Sequence, residues 1–152
     1  MKKVILLTGA SSGIGYQTAE SLAKEGHVVY GAARRIEKME TLKQFGVKPM
    51  YLDVTDEESI KSAIDTIIRN EGRIDVLINN AGLALGLEKF QDYNIADIER
   101  MIDTNIKGLL YVTREVIPNM VENNDGHIIN IGSTAGIYSY GGAAVYCATK
   151  SA

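Results

Sequence analysis

Short, wholly apolar runs rich in β-branched residues alternate with amphipathic stretches five times along this chain, and that alternation restricts its possible folds more than any other feature. The first run is Val4 to Leu7, ending in Thr8-Gly9. A strand with no polar alternation must be covered on both faces. Ile14, Thr18, Ala19, Leu22 and Ala23 then recur at helical spacing, with Gly26 as a stop signal. The same reading predicts strands at 27–33, 49–52, 75–79 and 127–133, and a short helix from Glu37 to Phe45. Thr55 and Glu58 have capping-box spacing ahead of the stripe Ile60, Ala63, Ile64, Ile67 and Ile68. One long helix is expected from Ala96 to Val121, with Pro118 kinking or thinning its last turn, and another begins near Ala143. Such alternation without repeats or linkers implies right-handed βαβ units, hence an α/β fold with a doubly wound, Rossmann-like parallel sheet. A length of 152 residues suits a single domain. The last helix has barely two turns before Ala152, so the sequence is expected to be a truncated form.

Composition removes several functions. With 45% hydrophobic and 23% charged residues the chain is neither disordered nor fibrous. A formal net charge of -3 provides no basic field for nucleic acid or an anionic membrane. One cysteine forms no internal disulfide, which suits a reducing cytoplasm. Cys147, His27 and His127 lack metal-ligand spacing, so no metal site is expected. The apolar run behind Met1-Lys2-Lys3 is too short for a signal-peptide core or a membrane span.

Directly after the first strand stands Thr8-Gly9-Ala10-Ser11-Ser12-Gly13-Ile14-Gly15. Gly9 permits a tight exit from the strand, Gly13 a close backbone approach to a pyrophosphate, and Gly15 close packing of the next helix on the sheet. The helix N-terminus, with its free N–H groups, then faces the phosphates. The spacing G-x-x-x-G-x-G lacks the Lys-Ser/Thr of a nucleoside-triphosphate P-loop. Candidate cofactor-binding residues in this turn are Gly9, Ser11, Ser12, Gly13, Ile14 and Gly15. At the end of the second strand an NAD binder needs a carboxylate for the ribose hydroxyls. Here Ala32-Ala33-Arg34-Arg35 offers two guanidiniums instead, which favours NADP over NAD through charge-assisted contacts to a 2′-phosphate. Asp53 and Asn79-Asn80-Ala81-Gly82 follow the third and fourth strands, where open α/β sheets bind ligands.

Tyr146 and Lys150 stand four apart in a helical segment and share a face. A free phenol is a poor acid–base catalyst at neutral pH, and a neighbouring ammonium favours its phenolate. Ser133, at the end of the fifth strand, is placed to hydrogen-bond a carbonyl or alkoxide oxygen. A lone Y-x-x-x-K means little. Its place in the order of the glycine turn, Asn79-Asn80-Ala81-Gly82, Ser133, Tyr146 and Lys150 makes it informative.

On these motifs, from Thr8 to Lys150, the chain resembles the short-chain dehydrogenase/reductase family. The resemblance implies an oxidoreductase that moves a hydride between a nicotinamide and a carbonyl or secondary alcohol. It implies Tyr146 as general acid/base, and Lys150 as the group that holds the nicotinamide ribose and favours the phenolate. It further implies Ser133 as substrate-orienting donor and Asn105, within Asp103-Thr104-Asn105, as support for a water-mediated proton relay. Asp53 and Val54 would lie against the adenine, and Asn80 would line the cofactor channel. The segments Leu83-Ala84-Leu85-Gly86 and Ile131-Gly132-Ser133-Thr134-Ala135-Gly136 are similar to those of NADP-dependent 3-hydroxy acid dehydrogenases acting on serine and allo-threonine. Tyr30-Gly31-Ala32-Ala33-Arg34-Arg35 is more similar to retinol- and steroid-type members. Family members continue through two further strands and a substrate lid, and pair as homo-oligomers, dimers or tetramers. The alternative left open is a non-catalytic NADP(H)-binding module or an inactive fragment.

Overall fold

The structure is a computed structural model describing residues 1–152. Five strands, β1 (Val4–Thr8), β2 (Val28–Ala33), β3 (Lys48–Tyr51), β4 (Val76–Asn79) and β5 (His127–Asn130), form one parallel sheet in the order β3-β2-β1-β4-β5. The helices are α1 (Gly13–Lys24), α2 (Glu57–Glu71), α3 (Ile95–Ile102), α4 (Leu109–Glu122) and α5 (Ala144–Ser151). None is long and apolar enough to cross a membrane.

The centre of the sheet explains why β1 reads as apolar throughout. In register, Leu6 lies between Tyr30 of β2 and Leu77 of β4. Val4 and Leu6 face Ile60, Ile64 and Ile67 of α2 and Val112 and Val116 of α4. Ile5 and Leu7 face the other way, onto Ala19 and Ala23 of α1 and onto Met39 and Leu42. Leu6 and Leu7 are completely buried, and burying each stabilises the fold by roughly 1.5–3 kcal/mol. The chain runs from β1 towards one sheet edge and from β4 towards the other. The loops after β1 and β4 therefore diverge and leave a crevice at the carboxyl ends of the strands.

One local expectation is refined and three need correction. The short helix expected from Glu37 to Phe45 is present over Ile36–Phe45, and it is wound as a 3-10 helix. Ile36, Met39, Leu42 and Phe45 recur every third residue and all pack on the same cluster, a period that a 3-10 helix aligns on one face. The N-cap of α2 is Asp56, whose carboxylate accepts from the Glu58 N–H at 3.2 Å. Thr55 is unavailable because its hydroxyl donates to Asp53 Oδ1 at 2.7 Å. The long helix from Ala96 is interrupted by a π-helical turn, Asp103–Gly108, between α3 and α4. Pro118 lies inside α4, which runs on to Glu122; Pro118 and Arg114 are both exposed, so the carbonyl that loses its donor faces water. Finally, β5 ends at Asn130, and Ser133 instead opens a 3-10 turn, Thr134–Gly136.

Candidate active site

The crevice starts from Thr8, whose hydroxyl is buried between the ends of β1 and β4. Thr8 Oγ1 accepts from the backbone N–H groups of Asn80 and Ala81, each at 3.0 Å. Asn80 Nδ2 donates back to the Gly9 carbonyl at 3.1 Å. These bonds draw the two loops so close that a Cβ on Gly9, at φ +70, would stand 2.8 Å from Ala81 Cα. A Cβ on Gly15 would collide with the Gly9 carbonyl oxygen and Asn80 Nδ2. Those two glycines therefore allow α1 to start directly under the loop. Ser12 makes no side-chain capping bond to α1, so the first N–H groups of the helix stay free for an anion. Gly13 has φ +58 with open space around it, and Ile14 is 66% exposed.

A cleft of about 300 Å³ opens above this turn. Gly9, Ser11, Ser12, Arg34, Arg35, Asp53, Val54 and Asn80 all line it, so eight expected cofactor residues from four separate loops meet there. Gly13, Ile14, Gly15, Tyr146 and Lys150, also expected to hold the cofactor, are not among its lining residues. Asp53 is the one carboxylate among the lining residues, against the two guanidiniums of Arg34 and Arg35. Both arginines are exposed and neither is tied up in an ion pair. Asp53 Oδ1 accepts from the Thr55 N–H and hydroxyl, at 2.9 and 2.7 Å, which orients the carboxylate and leaves Oδ2 for a ligand.

The second half of the site comes from α5 and the end of β5. Lys150 Nζ lies 5.9 Å from the centroid of the Tyr146 ring and donates to the Ile131 carbonyl at 3.4 Å. The same ammonium lies 3.4 Å from the point a Cβ on Gly82 would occupy, and Gly82 lines the cleft. The α5 amine thus lies beside the cleft wall. Ser133 Oγ accepts from the Ala135 N–H at 3.1 Å, so its proton remains free to donate to a substrate oxygen. Tyr146 is half-buried, packed against the cluster of Tyr93, Met101 and Val145 and against that of Ala135, Ala143 and Cys147. Asn105, in the π-helical turn, is buried and bonds both backbone groups of Leu83: Oδ1 accepts from its N–H and Nδ2 donates to its carbonyl, each at 2.8 Å.

Sequence reasoning passed over Thr55, Leu83 and Thr104, which also line the cleft. It also passed over Gly108, where a Cβ would stand 2.6 Å from Val54 Cγ2. Thr104 and Gly108 sit in the π-helical turn, and no periodicity marks such a turn. Thr8 carried a signal, being the polar residue that ends an apolar strand.

Comparison with known proteins gives a consistent picture. Residues 3–152 match the family model described as short chain dehydrogenase. The NADP-dependent 3-hydroxy acid dehydrogenase of Salmonella typhi is 48% identical over 150 residues, which are 97% of this chain and 60% of that protein. The enzyme of the same description from Schizosaccharomyces pombe is 48% identical over 158 residues, covering 99% of this chain and 61% of that protein. Among solved structures, the closed form of serine dehydrogenase complexed with NADP+ superposes with a TM-score of 0.93 at 45% identity, over 97% of this chain and 61% of that one. The chain thus spans about three-fifths of the length of the curated relatives it matches.

Proposed function

The chain belongs to the short chain dehydrogenase family, and from that premise we propose that it forms the cofactor-holding and proton-handling part of an NADP-dependent oxidoreductase acting on 3-hydroxy acids. The observation that carries this reading is the placement of the Lys150 ammonium against Gly82, which joins the Tyr146–Lys150 helix to the cleft. The cleft suits a dinucleotide bearing a 2′-phosphate in three respects. The N-terminus of α1 presents free N–H groups, no carboxylate stands at the end of β2, and two unpaired guanidiniums do. The same description, NADP-dependent 3-hydroxy acid dehydrogenase, is carried by the relatives from Salmonella typhi and Schizosaccharomyces pombe.

Nicotinamide, when bound, supplies the hydride transfer to or from the reacting carbon. Ser133 donates its free proton to the substrate oxygen and orients it. Tyr146 gives that oxygen its proton in the reducing direction and removes it in the oxidising direction. Lys150 attracts the resulting phenolate, and the ammonium hydrogens not used by Ile131 hold ribose hydroxyls. Gly9, Ser11, Ser12, Gly13, Ile14 and Gly15 form the phosphate turn. Arg34 and Arg35 take the 2′-phosphate, Asp53 and Val54 the adenine, and Asn80 the channel wall. Asn105 supports the proton relay near Lys150. The working protein is taken as a cytoplasmic homo-oligomer with a small-molecule substrate.

The test is stopped-flow absorbance at the NADPH band, with NADPH consumed by 3-oxo acids and NADPH formed from NADP+ by 3-hydroxy acids including serine. Turnover that Tyr146→Phe abolishes, with NADPH binding retained in calorimetry, is the expected result. Micromolar NADPH binding without turnover by the parent chain would replace this reading with that of a binding module.

A further inference from the structure

The catalytic turn of α5 is held to the cleft by a residue that none of the motifs marks. Thr149 is buried, 5% exposed, and its hydroxyl is used twice. It donates to the Tyr146 carbonyl at 2.8 Å and accepts from Asn105 Nδ2 at 3.0 Å. The other Asn105 bonds go to the N–H and carbonyl of Leu83, which lines the cleft beside Gly82. Leu83, Asn105, Thr149 and Tyr146 thus form one chain of hydrogen bonds across three elements distant in sequence. Both amide protons of Asn105 are consumed in it. A Cβ on Gly82 would stand 3.3 Å from Asn105 Oδ1 and 3.4 Å from Lys150 Nζ, so the circuit passes directly beside the ammonium.

From this geometry we propose that Thr149 is a positioning residue: its hydroxyl sets the height of the Tyr146–Lys150 turn above the cleft by tying α5 to the π-helical turn. The inference rests on the oxidoreductase reading above. Packing alone does not serve this purpose, because α5 is only eight residues long and Tyr146 is half-buried. A turn held by apolar contact can slide along its groove, whereas a hydroxyl bonded at both ends fixes distance and direction. Misplacing a reacting group by about 1 Å costs up to roughly 100-fold in rate.

Thr149→Val keeps the shape and removes both bonds; Thr149→Ser keeps the hydroxyl and removes the methyl. The expected result is a kcat lowered by about 10-fold to 100-fold in the valine variant, with NADPH affinity by calorimetry within about twofold of the parent, and most of the turnover recovered in the serine variant. A purely structural role would lower the melting temperature of both variants and leave kcat per folded molecule unchanged, and that outcome overturns the proposal. If the valine variant does not fold, the parent chain still decides. The two side-chain amide protons of Asn105 should exchange slowly with solvent by NMR, and exchange at the rate of exposed asparagines refutes the circuit. Absence of turnover in the parent removes the oxidoreductase reading, and this inference falls with it; turnover equal in parent and Thr149→Val refutes the inference alone.

Discussion

Replacing Thr8 with valine isolates the contribution of one hydroxyl to both fold and site. The side chain is 2% exposed, and its oxygen accepts from two backbone donors, Asn80 N–H and Ala81 N–H, each at 3.0 Å. Valine matches the volume but puts a methyl group against two N–H groups. An orphaned buried donor costs about 1–3 kcal/mol. Asn80 and Ala81 are themselves only half-buried, so water relieves part of that penalty and the lower end applies, about 2–3 kcal/mol for the pair. A chain of this size loses about 2–4 °C of melting temperature per kcal/mol, which predicts a drop of roughly 4–12 °C. Since Asn80, Ala81 and Gly82 line the cleft, NADPH affinity should fall with it. Differential scanning calorimetry of parent, Thr8→Val and Thr8→Ser, with NADPH titrations alongside, measures both. Thr8→Ser keeps the acceptor and should stay close to the parent. A valine variant melting within about 1 °C of the parent, or a serine variant equally damaged, would refute the assignment.

Two further outcomes are expected. On the proposed function, Arg34→Ala would remove a charge-assisted contact worth about 1.5–3 kcal/mol, so NADPH should bind roughly 10-fold to 100-fold more weakly while NADH affinity hardly changes; an equal loss for both cofactors refutes the proposed 2′-phosphate contact. At the opposite end of the sheet, Asp125 is held below its usual carboxylate range, first by the hydrogen bond from Lys3 and then by the charge of Arg73. A depressed folded-state value means that the stabilisation is present above the unfolded value, near 4, and disappears as the pH falls through the folded one. The urea midpoint should therefore decline below about pH 4 in the parent and less steeply in Asp125→Asn, and identical slopes would show that the pairing does not contribute.

Local order along the chain was open to reading because it depends on near neighbours. An uninterrupted apolar run such as Val4–Leu7 needs cover on both faces; α1 supplies one cover from the adjacent stretch, and α2 and α4 supply the other from farther along the chain. The glycine turn and the Tyr146–Lys150 pair were legible for the same reason, since spacing within a turn or a helix fixes which groups share a face. The short helix after β2 was legible, but its 3-10 winding was not, although a period of three is visible in Ile36, Met39, Leu42 and Phe45. A helical stripe and a threefold stripe differ little over ten residues.

What only the tertiary structure decided is which distant groups complete each other. Thr8 with Asn80, Asn105 with Leu83 and Thr149, and Lys150 with Gly82 are separated by dozens of residues except where the sheet order brings them together. The π-helical turn at Asp103–Gly108 belongs here too, because its Asn105 amide finds its partners on other elements. Periodicity records how a segment meets the core in general. A hydrogen bond is satisfied only by a particular atom at a particular distance, and that atom is supplied by the fold.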